Sequence, residues 1–186
     1  MPAAAIHDFR GNGASVGRSE GCLVKGDSAS EMNVLCRAGA RMCALPVADV
    51  IETLRPLPIT SIASMPRFVL GLSIVRGGPV PVVDAQCLLG GAASFAQSGE
   101  SDASARLVMV RVKGSRRVAL RVDEVVGVRP IARAALVALP GLLCDAGDKT
   151  VSAVGALDAD LLLVLDAARL VTEAVWTRIQ AERAEG

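Results

Sequence analysis

The sequence predicts an all-β protein, and three observations carry that expectation. Hydrophobic residues make up 52% of the 186-residue chain while aromatics make up only 2%, so its cores must be built from Val, Leu, Ile and Ala, which suit small, tightly curved sheets. Two groups of about five short apolar runs, each bounded by Gly, Pro, Asn or Asp, read as strands and turns. No long helical pattern alternates with them, which excludes a doubly wound parallel sheet. The expected architecture is two five-stranded barrels packed together, followed by a C-terminal helix.

Residues 1–31, rich in Gly, Ser, Ala and Asp, read as a flexible leader. From Met32 the pattern changes to alternation. Met32, Val34 and Cys36 share one face of a strand, and Cys43, Leu45 and Val47 share the facing one. A type II′ turn with Gly39 in its first position joins them and sets Cys36 opposite Cys43. After Val50, Ile51 and Glu52 the chain is broken by Pro56, Pro58 and Pro66, which force a loop or a distorted edge. Residues 68–75 form a strand, Gly77-Gly78-Pro79 a tight turn and residues 80–83 the returning strand. The first barrel therefore covers about residues 32–91, and the polar stretch 92–105 connects it to a second one over about 105–166. There, matching Val108, Val110 and Val112 to Val118, Leu120 and Val122 selects a three-residue loop, Gly114-Ser115-Arg116. Residues 125–131 continue the sheet, and 151–157 with 161–165 add a hairpin through Asp158-Ala159-Asp160. Residues 167–186 are helix and tail. The helix runs from Ala167 to about Arg183, is N-capped by Asp166, and carries Leu170, Val171, Ala174, Val175 and Ile179 near one face.

Composition removes several classes of function. The net charge is +1, so no global field draws the chain to nucleic acid or lipid. No apolar run reaches the roughly 18–20 residues of a membrane span; the nearest candidate, 134–144, is short and contains Pro140 and Gly141. The N-terminal residues, with His7, Asp8 and Arg10, lack the apolar core of a secretory signal. A cytoplasmic protein without membrane insertion is expected. Cys22, Cys36, Cys43, Cys87 and Cys144 form no CxxC pair, and His7 is the sole histidine, so no zinc site is expected and the thiols read as small apolar groups. The glycine frame of residues 21–26 is followed by Asp27-Ser28 where a phosphate loop needs Lys-Ser/Thr. Ser28 has no positioned base. Asp123-Glu124 and Asp158/Asp160 read as strand-end and turn charges. No catalytic residue, cofactor, metal or small-molecule substrate is expected.

The segment 106–133 is basic: Arg106, Arg111, Lys113, Arg116, Arg117, Arg121, Arg129 and Arg133 are opposed there only by Asp123 and Glu124. The strand register puts Arg111, Lys113, Arg117 and Arg121 on an outer face. A basic barrel that binds single-stranded nucleic acid is the alternative from a different functional class. Such barrels present aromatics for base stacking, and none occurs between residues 96 and 175.

The stretch 44–91 holds the most informative residues. Glu52 follows Val50-Ile51, and Arg76 stands between Ile74-Val75 and Gly77-Gly78. Charges set among strand-forming apolar residues need a partner, inside the fold or on another protein. The second case describes an interaction module.

Residues from about 32 to 172 resemble the CheW family, the coupling proteins of bacterial chemotaxis, and the related domain at the end of their kinase partner. The resemblance rests on Leu45-Pro46-Val47, Val50-Ile51-Glu52, Pro66, Phe68-Val69-Leu70-Gly71, Arg76-Gly77 and Pro81-Val82-Val83-Asp84, in the family's order and spacing. Residues 122–128 (VDEVVGV) and 163–166 (LVLD) extend it. The resemblance implies two SH3-like five-stranded barrels and no catalysis. It also implies an adaptor joining chemoreceptor cytoplasmic tips to the regulatory domain of a CheA-type histidine kinase. Val50, Glu52, Gly71, Arg76, Gly77 and Asp84 are then the receptor- or kinase-binding residues. Ile74-Val75 stand where the family usually has Asn-Leu, and Ala85-Gln86 where it usually has Leu-Arg. These departures suit a member serving a non-flagellar array, such as one governing pili or surface behaviour.

Overall fold

The central strands in this protein bury both faces, because alternate residues feed two different cores. The computed structural model describes residues 29–91, 103–138, 150–158 and 160–185. In chain order the elements are β1 (Ser30–Ala38), β2 (Arg41–Pro46), β3 (Val50–Leu54), β4 (Val69–Val75), β5 (Gly78–Asp84), α1 (Ala85–Leu88), β6 (Arg106–Arg111), β7 (Arg117–Val122), β8 (Glu124–Ala132), β9 (Leu136–Ala138), β10 (Val151–Leu157), β11 (Asp160–Leu165) and α2 (Glu173–Glu185). β1 starts at Ser30, just inside the stretch expected as leader; residues 1–28 and most of the 92–105 connection lie outside the described residues, with His7, Cys22 and Cys144.

The first hairpin forms as its sequence requires. Val34 pairs with Leu45 and Cys36 with Cys43, and both cysteines are free and fully buried. Gly39 has φ +61 while Ala40 is absent from the residues with positive φ, the combination a type II′ turn demands.

The strands form two sheets, ordered β8-β1-β2-β11-β10-β9 and β3-β6-β7-β5-β4. The expected division into barrels by sequence half, 32–91 and 105–166, is therefore corrected: each sheet takes strands from both sides of residues 92–102. Four pairings cause the exchange: β1 with β8 and β3 with β6 are antiparallel, and β2 with β11 and β5 with β7 are parallel. Alternation fixes which face a strand buries but not which hairpin lies beside it, and parallel partners carry no turn signal between them.

Three smaller expectations change as well. The β4–β5 turn is Arg76-Gly77, with Val75 paired to Gly78 and Ile74 to Pro79. Pro79 and Pro81 are tolerated in β5 because β7 pairs with it only from Val82 onward. The β6–β7 loop is Lys113–Ser115, since the Val112 N–H donates to the Arg116 carbonyl; the loop moves by one residue and the register by two, which leaves the faces as expected. The C-terminal helix starts at Glu173, not Ala167. Asp166 accepts from the Ala168 N–H at 2.9 Å and caps only a 3-10 turn, 167–169, after which Leu170 and Val171 turn into the core. Of the expected apolar face, Val175 and Ile179 are buried, Trp176 joins them, and Ala174 is exposed.

The main core lies between the sheets and under α2; it includes Val34, Cys36, Leu45, Val108, Val110, Leu120 and Trp176. A second core on the far side of the six-stranded sheet holds Leu35, Met42, Ala44 and Leu162. A third lines the other face of the five-stranded sheet, with Val80, Val82, Leu107, Met109 and Ala119 covered by Leu54 at the end of β3 and by Leu57 and Ile59 from the β3–β4 connection. That third core corrects the expected outer basic face. Arg111, Arg117 and Arg121 do share one face of β6 and β7, but its middle is apolar and buried, so its charges sit only at the two ends.

Candidate functional site: the charged end of the five-stranded sheet

β3 and β4 are the two open edges of the five-stranded sheet. A charged group links them at one end. Glu52 lies on β3 opposite Met109, one residue past a bulge at Ile51, and the bulge turns its side chain toward the third core's rim. Arg76 occupies the first position of the β4–β5 turn with φ +50, followed by Gly77 at φ +77. Two consecutive left-handed residues make a type I′ hairpin turn. The glycine meets that requirement freely, whereas the arginine is held in a conformation that side-chain-bearing residues avoid.

What holds it is a two-pronged ion pair: Arg76 Nε donates to Glu52 Oε1 at 2.8 Å and Nη2 to Oε2 at 2.5 Å. This side-on fork fixes the plane of the guanidinium. Its hydrogen bonds hold the Glu52 carboxyl below the usual glutamate range, helped by the nearby positive charge of Arg117, and they raise Arg76 in turn. The arginine side chain is still 70% exposed, against 20% for Glu52. Glu52 is thus the inner support and Arg76 the group presented to solvent.

Gly71 acts through the backbone. The Thr60–Leu72 bridge brings the β3–β4 connection alongside β4, with Thr60 and Leu72 exchanging both backbone hydrogen bonds at 2.8 Å. A Cβ at Gly71 would stand 2.0 Å from the Thr60 carbonyl oxygen, and its φ is +143. Only glycine permits that approach. Val50, half-buried on β3, packs against the main core.

Asp84 belongs to the other end of the sheet and to the interior. It is 1% exposed, accepts from the Cys87 N–H at 2.8 Å as the cap of α1, and lies 3.5 Å from Arg121. The expected binding set therefore divides: Glu52, Arg76 and Gly77 meet at one end, with Gly71 supporting them through the backbone, whereas Asp84 holds the fold at the opposite end. The departure after Asp84 has a packing reason, since the Gln86 side chain lies against the β1–β2 turn, where a Cβ on Gly39 would stand 2.9 Å from it.

Sequence reasoning did not connect Arg111 and Arg117 with this group. They oppose each other directly across β6 and β7 at the Glu52 end, and Arg117 lies over Gly78, beside the Arg76-Gly77 turn. The signal was present in the alternation, which put both on one face, but the β3–β6 pairing that sets this face beside Glu52 was not. Among the described residues no group of His, Cys, Asp and Glu could hold a metal ion. No described helix is long and apolar enough to cross a membrane.

The CheW-like domain family, as a sequence model, matches residues 33–175. A scaffolding protein of Thermoanaerobacter tengcongensis, TtCheW, shares the fold with a TM-score of 0.64 and 24% identity, over 76% of this chain and 92% of that one. No curated protein sequence matches the chain.

Proposed function

We propose, since the chain belongs to the CheW-like domain family, that it is a non-catalytic scaffold coupling the cytoplasmic tips of chemoreceptors to the regulatory domain of a CheA-type histidine kinase. One observation carries the docking site: Arg76 is mostly exposed, yet its guanidinium is fixed by two hydrogen bonds to Glu52 and its backbone by a left-handed turn. A preorganised arginine loses little freedom when a partner binds it, and arginine is favoured at protein interfaces. Gly77 follows it in the turn, Gly71 fixes the edge strand that leads to it, and Val50 anchors β3 against the main core. Asp84 supports the sheet from within.

The test is association of the folded protein with a receptor-tip fragment and with the kinase regulatory domain of its own host. Arg76→Ala and Glu52→Arg should leave the circular dichroism spectrum unchanged and weaken partner binding by at least about tenfold, the loss expected of a central interface residue. Wild-type retention of both partners by both variants would remove this site.

A further inference from the structure

Arg111 and Arg117 form a like-charged cross-strand pair at the docking end of the sheet. They are direct partners in the β6–β7 register, and both are exposed. Like charges in that position repel at close range. Among the described residues neither makes a salt bridge. The carboxylates nearest in influence do not neutralise them. Glu52 feels Arg117, but both of its oxygens are engaged by Arg76. Asp49 feels Arg111 but makes no salt bridge with it. A cavity of about 190 Å³ opens beside Arg117, with Pro79, Pro81, Trp176, Ile179 and Gln180 in its lining; Arg111 lies outside it.

We propose that Arg111 and Arg117 receive a carboxylate-bearing side chain of the protein that docks at the Glu52–Arg76 face. This deepens the docking reading and rests on it. Two guanidinium forks on adjacent strands suit a carboxylate, which accepts from both. Single-stranded nucleic acid fits less well: no aromatic occurs between residues 96 and 175, and Trp176, which lines the cavity beside Arg117, is 8% exposed and covered by Arg116 at 5.1 Å. Stacking on an open aromatic face is what such ligands need.

The decisive comparison uses the receptor-tip fragment and the kinase regulatory domain, titrated at two salt concentrations into wild type, Arg76→Ala and the double variant Arg111→Gln/Arg117→Gln. The double variant should melt no earlier than wild type, since it removes a repulsive pair. It should bind one of the partners about tenfold more weakly and with a shallower salt dependence. Arg117→Gln alone, with a smaller loss, makes the same test if the double variant fails to fold. Wild-type affinity in the double variant alongside weak binding by Arg76→Ala overturns the carboxylate site and leaves the docking face standing. Wild-type affinity in all variants overturns both. A single-stranded oligonucleotide that binds wild type at low salt and displaces the protein partner overturns the choice of an acidic protein.

Discussion

The two ends of the five-stranded sheet carry the same chemistry in opposite settings. At one end Asp84 and Arg121 sit on one face of β5 and β7 with side chains 1% and 11% exposed. At the other, Glu52 and Arg76 join β3 to the β4–β5 turn with the arginine 70% exposed. The difference shows that an acid–arginine pair gets its role from its surroundings. Buried, the pair is bound to the fold, because removing one partner strands the other in the interior. Exposed, it adds little to stability but holds an arginine in a fixed orientation toward solvent.

The comparison breaks most severely on the strand between the two ends. Gly71→Ala puts a methyl group against the Thr60 carbonyl and should cost about 4 kcal/mol or prevent folding; denaturant titration checks it, and a loss below about 1 kcal/mol would mean the Thr60–Leu72 bridge is dispensable. Next comes the buried end. Asp84→Ala removes both the α1 cap and the carboxylate beside Arg121, with an expected loss of about 3 kcal/mol, whereas Arg76→Ala should move Tm by no more than about 2 °C. Equal losses in the two variants would erase the distinction between the ends.

A smaller effect is expected where α2 meets the sheet. Arg116 donates to both oxygens of Glu173 at 2.8 and 2.9 Å and lies over the Trp176 ring. Arg116→Ala should cost about 1 kcal/mol and should quench or shift the fluorescence of the sole tryptophan. A spectrum identical to wild type would show that the ring does not sense the guanidinium.

The smallest effect is a pH signature that belongs to the exposed end. Because the Glu52 carboxyl is held below its ordinary value, its pairing stabilises the protein above the unfolded glutamate pKa of about 4.3 and is lost as pH falls through the lowered value. The Tm difference between wild type and Glu52→Gln should thus be present at neutral pH and shrink on acidification below that point. Cys43 gives the opposite sign. The hydrogen bond with Cys36 and burial raise its thiol, so its contribution is complete below the unfolded thiol pKa of about 8.5 and is lost as pH rises above it. A Tm that stays flat into the alkaline range in wild type, and matches Cys43→Ser there, would contradict that assignment.

Much of this was legible in the chain. Alternation at Met32–Cys36 and Cys43–Val47, with Gly39 between, defined the first hairpin and its Cys36–Cys43 register. Alternation at 108–112 and 118–122 gave the correct faces although the loop lies one residue earlier and the register is shifted by two. The prolines after Glu52 marked the irregular connection, and the charges at Glu52 and Arg76 stood out because their apolar neighbours could not satisfy them. The turn after Val75 was misplaced because Gly77-Gly78-Pro79 is the stronger local turn signal. Arg76 takes a left-handed backbone that its side chain disfavours locally, and Glu52, 24 residues earlier, holds it there.

The sequence by itself determined the strands, their faces and the two charges that needed partners, since each depends on residues within a few positions of one another. Only the tertiary structure decided the rest. The pairs β1–β8, β2–β11, β3–β6 and β5–β7 built each sheet from both halves of the chain, because backbone pairing between distant strands leaves no mark in local alternation. Strand order and register in the five-stranded sheet then set Asp84 beside Arg121 and put Arg111 and Arg117 at the end where Glu52 holds Arg76. Burial separates the two pairs, and burial is set by the whole packed chain.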